Sequence, residues 1–236
     1  MVVRDTIANE RSFSDLLSLG ATLHRVNGAH PRSRMAPIAS PPSRRRHHRP
    51  ADKRRAILDS AVRLIARSGL HNTPMSALAR DAGVAAGTLY LYFPSKEAMI
   101  NALYVELLEE RGRATAVDPS VAPRKSREGF GLFWHRLARW HLEHPAEANL
   151  IHQCQASSIL TEETRAIEQR MHADGLAHFD DAVARGAFRQ MSVQLFWALI
   201  AGPIFVLAQM RDTGEIDITD ALLDATFEGV WRSVVP

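Results

Sequence analysis

From Asp52 onward, apolar residues return every three to four positions, the period of a helix that buries one face. Ile57, Ala61, Leu64 and Ile65 form the first such stripe, in ADKRRAILDSAVRLIARSG, and Gly69 is a stop signal. Thr73-Pro74 predicts the next start, with Thr73 as N-cap and proline in the first turn. The segment MSALARDAG is a short helix ending at Gly83, and a second short helix ends at Phe93-Pro94, because a residue before proline is pushed out of helical backbone. Ser95 caps a helix predicted from Lys96 to Arg113, and the two prolines of TAVDPSVAPR mark a loop. Residues 126–143 set Phe130, Phe133, Trp134, Leu137 and His141 on one face. Pro145 opens a helix to Leu160, and Thr161 with Thr164 opens one to Gly186. Residues 192–211 and 219–234 predict the last two; in the final one Leu223, Phe227, Val230 and Val234 step by four, three and four. No alternating strand pattern and no internal repeat interrupts this order, so the expected class is all-α.

Composition adds limits. The chain has 236 residues, 46% of them hydrophobic, enough for a sizeable core. Its one cysteine, Cys154, makes no intrachain disulfide, which fits a reducing compartment. The longest uncharged apolar run, residues 195–208, is too short to span a bilayer and reads as a buried helix, and the N-terminus lacks a secretory apolar region, so no membrane partner is expected. Charge is uneven: residues 1–50 hold nine arginines and three acids, residues 51–110 are balanced at seven each, and residues 111–236 hold thirteen basic and sixteen acidic residues. A basic arm on a faintly acidic body points to a polyanion near the N-terminal end, with an idle solvated tail as the alternative. The Pro- and Arg-rich stretch 31–50 reads as linker or arm; Phe13, Leu16, Leu17 and Leu23 allow a short amphipathic helix before it, and Met35 is an alternative start.

The most informative stretch is DAGVAAGTLYLYFPSKEAM, residues 81–99. Two short helices meeting at Asp81-Ala82-Gly83-Val84 need a small residue where they touch and a turn residue tolerant of positive φ; Ala79 and Gly83 supply these. Leu78, Ala82, Val84 and Leu89 form an apolar lock, which leaves Gly87, Thr88, Tyr90 and Leu91 on the outward face of the second helix. That is the layout of a recognition helix for a major groove; a pair of small core helices is the plainer alternative.

This stretch resembles the hallmark of the TetR family, the tetracycline-repressor-like regulators. The resemblance covers residues 53–104 and rests on Gly83-Val84, Gly87-Thr88-Leu89-Tyr90, Tyr92-Phe93 and Ser95-Lys96-Glu97, which stand in the family's order and spacing. It implies an N-terminal three-helix helix-turn-helix DNA-binding domain over residues 51–98, preceded by a flexible basic extension over 1–50. A connecting helix over 95–113 then leads to a C-terminal helical ligand-binding and dimerisation domain over 114–236. It implies a cytoplasmic, sequence-specific transcriptional regulator, usually a repressor. Such a protein acts as a homodimer on a pseudo-palindromic double-stranded DNA operator and is released by a small apolar or aromatic effector. No cofactor and no catalysis are implied. Carried over by position, Thr88, Tyr90 and Tyr92 are groove and phosphate contacts, with Gly87 and Leu91 on the same face. Lys96 is a phosphate contact aided by a helix N-terminus. Thr73 offers its hydroxyl or N–H likewise, while Arg44, Arg45, Arg46, Arg49, Lys53 and Arg54 track phosphates or enter the minor groove. Members commonly carry Ser where this chain has Ala85, and often a polar residue at Ala86. The recognition helix therefore lacks a side-chain cap, and specificity falls on Thr88, Tyr90 and the apolar surface of Leu91, suited to a thymine methyl.

For the body, Trp134, His141, His152, Gln155, Met171, His172, Phe179 and Trp197 are candidate ligand-lining residues; core packing is the competing reading. The stretch 192–211, apolar nearly all round, needs cover on every side, which pairing with a second copy supplies, and Pro203 is expected to kink it. His141 with His144, and His152 near Cys154, are two-ligand spacings that no carboxylate completes, so no metal is expected. No nucleophile triad, phosphate-cradling glycine loop or paired-acid motif stands out. Two other classes compete: a nonspecific DNA-coating protein that relies on the arm, and a helical enzyme or carrier that retained the DNA-binding fold.

Overall fold

A computed structural model describes residues 50–118, 120 and 126–236, which contain nine α-helices and no strand. Arg44, Arg45, Arg46 and Arg49, and the helix expected around Phe13, lie outside the described residues. The helices are α1 (Pro50–Ser68), α2 (Met75–Asp81), α3 (Ala86–Tyr92), α4 (Lys96–Thr115) and α5 (Arg127–Glu143), then α6 (Pro145–Gln155), α7 (Glu162–Ala184), α8 (Val193–Asp212) and α9 (Asp220–Val234).

Local chemistry sets most boundaries. Gly69, at φ +81°, ends α1, and its N–H bonds the Ile65 carbonyl. Ser95, Ser126, Thr161, Ser192 and Thr219 each accept a backbone N–H at the start of α4, α5, α7, α8 and α9. The start of α2 differs from expectation. Pro74 is the N-cap itself and no side chain caps the helix, because the Thr73 hydroxyl turns back to the Gly69 carbonyl at 3.0 Å. Helix α6 stops at Gln155, short of the predicted Leu160; the Ser157 hydroxyl donates to the Cys154 carbonyl and closes the end.

The described residues pack as one compact unit around two apolar clusters. The first runs from Ile57, Ile65, Leu78 and Leu89 through Met99, Leu103 and Tyr104 to Trp140, Leu150 and Ile151. The reading head and the helices behind it therefore share one core, with α6 packed directly on α1. The second cluster, from α5, α7, α8 and α9, is rich in aromatic rings. Phe130 lies 5.8 Å from Phe188 and 6.1 Å from Phe227, and the fully buried Trp134 donates its indole N–H to the Ile200 carbonyl at 2.8 Å.

Helix α8 departs from the expectation of a short buried run. It spans 20 residues, runs through Pro203, and has a mean hydropathy of 1.8 over its most apolar 18-residue window, of which only 17% is buried within the chain. Among the described residues it is the one helix long and apolar enough to cross a membrane by length and composition. Leu195 and Val206 are half exposed, and Ala198, Gly202, Phe205 and Gln209 fall on the same side of the helix at 100° per residue.

Candidate functional site

Helices α2 and α3 are locked as the residue pattern predicts. Gly83 takes φ +66°, the Ala82 N–H bonds Leu78 O at 2.9 Å, and the Val84 N–H bonds Ala79 O at 2.9 Å. Leu78 and Leu89 are fully buried between the helices, with Ala82 and Val84 packed at the margin. A β-branched residue at Gly83 must enter a left-handed backbone that it strongly disfavours. Gly83→Val is expected to lower stability by about 1–3 kcal/mol, read as a fall in melting temperature.

Burying Leu89 turns the rest of α3 outward. Tyr90 is 53% exposed and Leu91 86%, the highest value among the exposed large hydrophobic residues. Gly87 is exposed, and a Cβ built on it meets no atom within 4 Å, so the chain's own packing does not require glycine there. A helical glycine costs roughly 0.5–1 kcal/mol against alanine, which leaves close approach of another surface as the physical use for it. Thr88 is half-buried beside this edge, and Tyr92 packs partly on the first core. Helix α3 has no side-chain cap at Ala85, as its sequence predicts.

The surrounding cations sort less simply. Arg54 pairs with Glu106 and lies over the Phe93 ring at 5.4 Å, so it clamps α1 to α4. Thr73 is 2% exposed, and its hydroxyl is bonded to the Gly69 carbonyl. Lys96 is half-buried, its amine donates to the His71 carbonyl at 3.0 Å, and burial holds its pKa below the usual lysine value; it ties α4 to the turn before α2. Lys53 is half-buried without an ion-pair partner among the described residues. Arg63 pairs with Asp81 at 2.7 Å and joins α1 to the end of α2; that bond, with one from Ser60, holds the Asp81 carboxyl below its ordinary range. Arg80, in the last turn of α2, is exposed; sequence reading passed over it because nothing local separates it from other surface arginines.

In the body, Trp134 and Phe179 pack within the aromatic cluster, both buried. Met171 packs against the first core, and the exposed Gln155 donates to Glu168 at 3.1 Å. The remaining candidates meet in a polar cluster. His141 and His152 have ring centroids 6.1 Å apart, His152 lies 4.8 Å from the Phe205 ring, and His172 lies 6.0 Å from Trp197. All three histidines lie within the field of Arg111, a residue the sequence reading missed. Tyr104, also missed, donates to Glu168 at 2.7 Å. Tyr104 and Arg111 stand seven apart on α4, and Glu168 and His172 four apart on α7; that spacing was the only sequence signal for the cluster. Buried Cys154 has its thiol pushed up to about 12 by burial, so it stays an inert thiol. Among the described residues, no group of three or more His, Cys, Asp or Glu is placed to hold a metal ion.

His141 is depressed to about 4, chiefly by burial and then by the charges of Arg111 and His152, against the Leu137 hydrogen bond. The unfolded chain, at 6.5, therefore binds more protons over the intervening range, so stability is full above pH 6.5 and declines as pH falls towards 4. Urea unfolding at pH 7.5 and pH 5.0 should show a loss of about 2 kcal/mol from this residue, and His141→Gln should remove that share. His152 and His172 shift in the same direction and leave a remainder.

Two contacts carry this cluster's surroundings to the head. The Gln153 side chain accepts the Leu70 N–H at 3.0 Å, just past the end of α1. Asn101, buried in α4, donates to Glu97 O and Ile159 O and accepts the Thr161 N–H at 3.0 Å.

The locked pair with an outward second helix defines a helix-turn-helix protein. The family model for bacterial regulatory proteins of the tetR family matches residues 57–103. The chain is 48% identical over 50 residues to the fatty acid metabolism regulator protein of Bacillus subtilis and 34% identical over 113 residues to the regulator EthR of Mycolicibacterium smegmatis. Those matches cover 21% and 45% of this chain and span only 26% and 50% of the two relatives. A crystal structure of a TetR family transcription regulator from Marinobacter aquaeolei superposes with a TM-score of 0.72 at 27% identity, covering 78% of this chain and 96% of that one. Residues 57–103 thus match the tetR-family DNA-binding region, and the fold is similar to that of TetR family regulators.

Proposed function

We propose that this chain is a sequence-specific DNA-binding transcriptional regulator, in the main a repressor, that works as a homodimer in the cytoplasm. The observation that carries the reading is the outward edge of α3, where Tyr90 and Leu91 stand exposed on a locked helix-turn-helix and Gly87 leaves room for another surface. Thr88, Tyr90 and Leu91 enter a major groove, and Arg80, Lys53 and the arginine-rich arm neutralise phosphates. With no arginine or amide on that edge, base readout is apolar and hydroxylic, so groove shape carries more of the specificity.

The homodimer reading draws on two exposed small-residue faces. Leu195, Ala198, Gly202 and Val206 line one side of α8, and Ala221, Ala225 and Gly229 lie four apart on the exposed side of α9. An effector held in the body biases the dimer between a form that fits DNA and one that does not, through α6 and α4.

Selecting duplexes from random genomic fragments with the purified full chain tests the proposal. The expected outcome is a small set sharing a two-fold symmetric sequence with half-sites about 34–36 Å, one DNA turn, apart. Recovery of fragments in proportion to their abundance would favour nonspecific coating.

A further inference from the structure

Among the described residues, two side-chain amides tie the reading head and its connecting helix to the helices behind them. The first acts on the turn between α1 and α2. Leu70, just past the end of α1, gives its N–H to Gln153 Oε1 on α6 at 3.0 Å. Gln153 Nε2 donates in turn to Asn149 Oδ1 on the same helix at 3.2 Å, so both ends of the amide are engaged. From within the head, the Thr73 hydroxyl on Gly69 O and the Lys96 amine on His71 O hold the same turn, each at 3.0 Å, and the turn leads directly into α2. The second amide acts on α4. Buried Asn101 donates to Ile159 O at 2.9 Å and accepts the Thr161 N–H at 3.0 Å, and a bond to Glu97 O fixes it on its own helix. One short stretch, residues 153–161, therefore reaches both the turn and α4. It is also closed on itself: the Ser157 hydroxyl donates to Cys154 O at 2.9 Å and accepts the Ile159 N–H at 3.3 Å.

We propose that Gln153 is a positioning residue for DNA reading: through Leu70 it fixes the angle of each head against α4, which Asn101 anchors, and so sets the half-site spacing that the dimer accepts. This rests on the reading of the chain as a dimeric DNA-binding regulator. The apolar core shared by α1, α4 and α6 holds the head in place, but burial is non-directional, whereas a hydrogen bond weakens steeply once its angle or length drifts. None of the bonds made by the two amides goes to α3, so base preference within a half-site lies outside their control. Spacing is the sensitive property, because each added base pair moves one half-site by about 3.4 Å and turns it by about 35°. A head free to swing follows such a change; a head pinned at Leu70 and at α4 does not.

The test measures binding of the full chain, at one salt concentration, to four duplexes: the selected symmetric one, versions with one base pair inserted or deleted at its centre, and one with a single altered base pair in a half-site. The natural chain is expected to lose about 30-fold or more in affinity on either change of spacing. Gln153→Met keeps the length of the side chain and removes its acceptor. It should cut that spacing penalty roughly 10-fold, since a hydrogen bond is lost in each of two chains, while the penalty for the altered base pair stays at its natural value. Gln153→Glu retains an oxygen for the Leu70 N–H and should keep the natural spacing profile. Asn149→Ala, at an exposed position, frees the Gln153 amide and should lower the spacing penalty in the same direction; it decides the matter if Gln153→Met does not fold. The penalty is a ratio, so a purely structural loss, which weakens binding to every duplex alike and shows in the melting temperature, leaves it unmoved. A folded Gln153→Met chain with the natural spacing penalty would overturn the inference, as would a Gln153→Glu chain that loses the profile as Gln153→Met does. Equal binding of all three spacings by the natural chain would instead strike the two-headed reading itself, and the inference would fall with it.

Discussion

Replacing Tyr90 with alanine, or Leu91 with glutamate, is expected to weaken binding to the selected duplex by roughly 10²–10⁴-fold at fixed salt. The size follows from symmetry. A lost base contact costs about 1–3 kcal/mol, and a two-fold dimer loses it at both half-sites, so a single substitution removes about 2–6 kcal/mol. Leu91→Glu adds a carboxylate against the phosphate-lined groove, and its effect is expected to be the larger of the two. Neither change should alter the fold. Both are the exposed large side chains of α3, while Leu89 carries the packing, so melting temperatures should stay within a few degrees of the natural chain. Competition titration in parallel with thermal melting checks both halves. A variant that loses stability and DNA binding together would place these residues in the core.

Converting Leu195 and Val206 together to aspartate is expected to turn the dimer into a monomer at micromolar concentration, read by analytical ultracentrifugation. Both side chains are half exposed on one face of α8, so the single chain tolerates the change, whereas a symmetric interface receives four new charges. Burying a Leu or Val side chain contributes about 1.5–3 kcal/mol, so removing four such burials weakens association on the order of 10³-fold or more. Operator affinity should fall with it, because one head then has to bind without its partner. A natural chain that sediments as a monomer at these concentrations would overturn the interface outright.

The head was legible because its instructions are local. Gly83 fixes a turn, Leu78 and Leu89 lock across it, and Phe93-Pro94 ends it, all within a few residues. What the sequence did not show are the contacts whose partners lie far along the chain. Arg54 reads as a DNA-facing cation until Glu106 appears beside it, and Lys96 until the His71 carbonyl does. Thr73 shows the same limit at short range, since a hydroxyl suits a helix start and a helix end equally, and geometry chose Gly69. The ring contacts of His141, His152 and Phe205 draw on α5, α6 and α8, and only the packing of those helices brings them together. Helix α8 was legible as a helix that needs cover on every side, and within the chain only 17% of its most apolar window is buried.

The central claim is that residues Thr88 to Tyr92 read DNA sequence twice, from two chains at once. The most direct measurement compares affinity for the selected symmetric duplex with affinity for a scrambled duplex of equal length at one salt concentration, with stoichiometry determined in the same titration. The account predicts a preference of at least about 10³-fold and at least two chains per duplex. A ratio near one, or tight binding by a single chain, would contradict it.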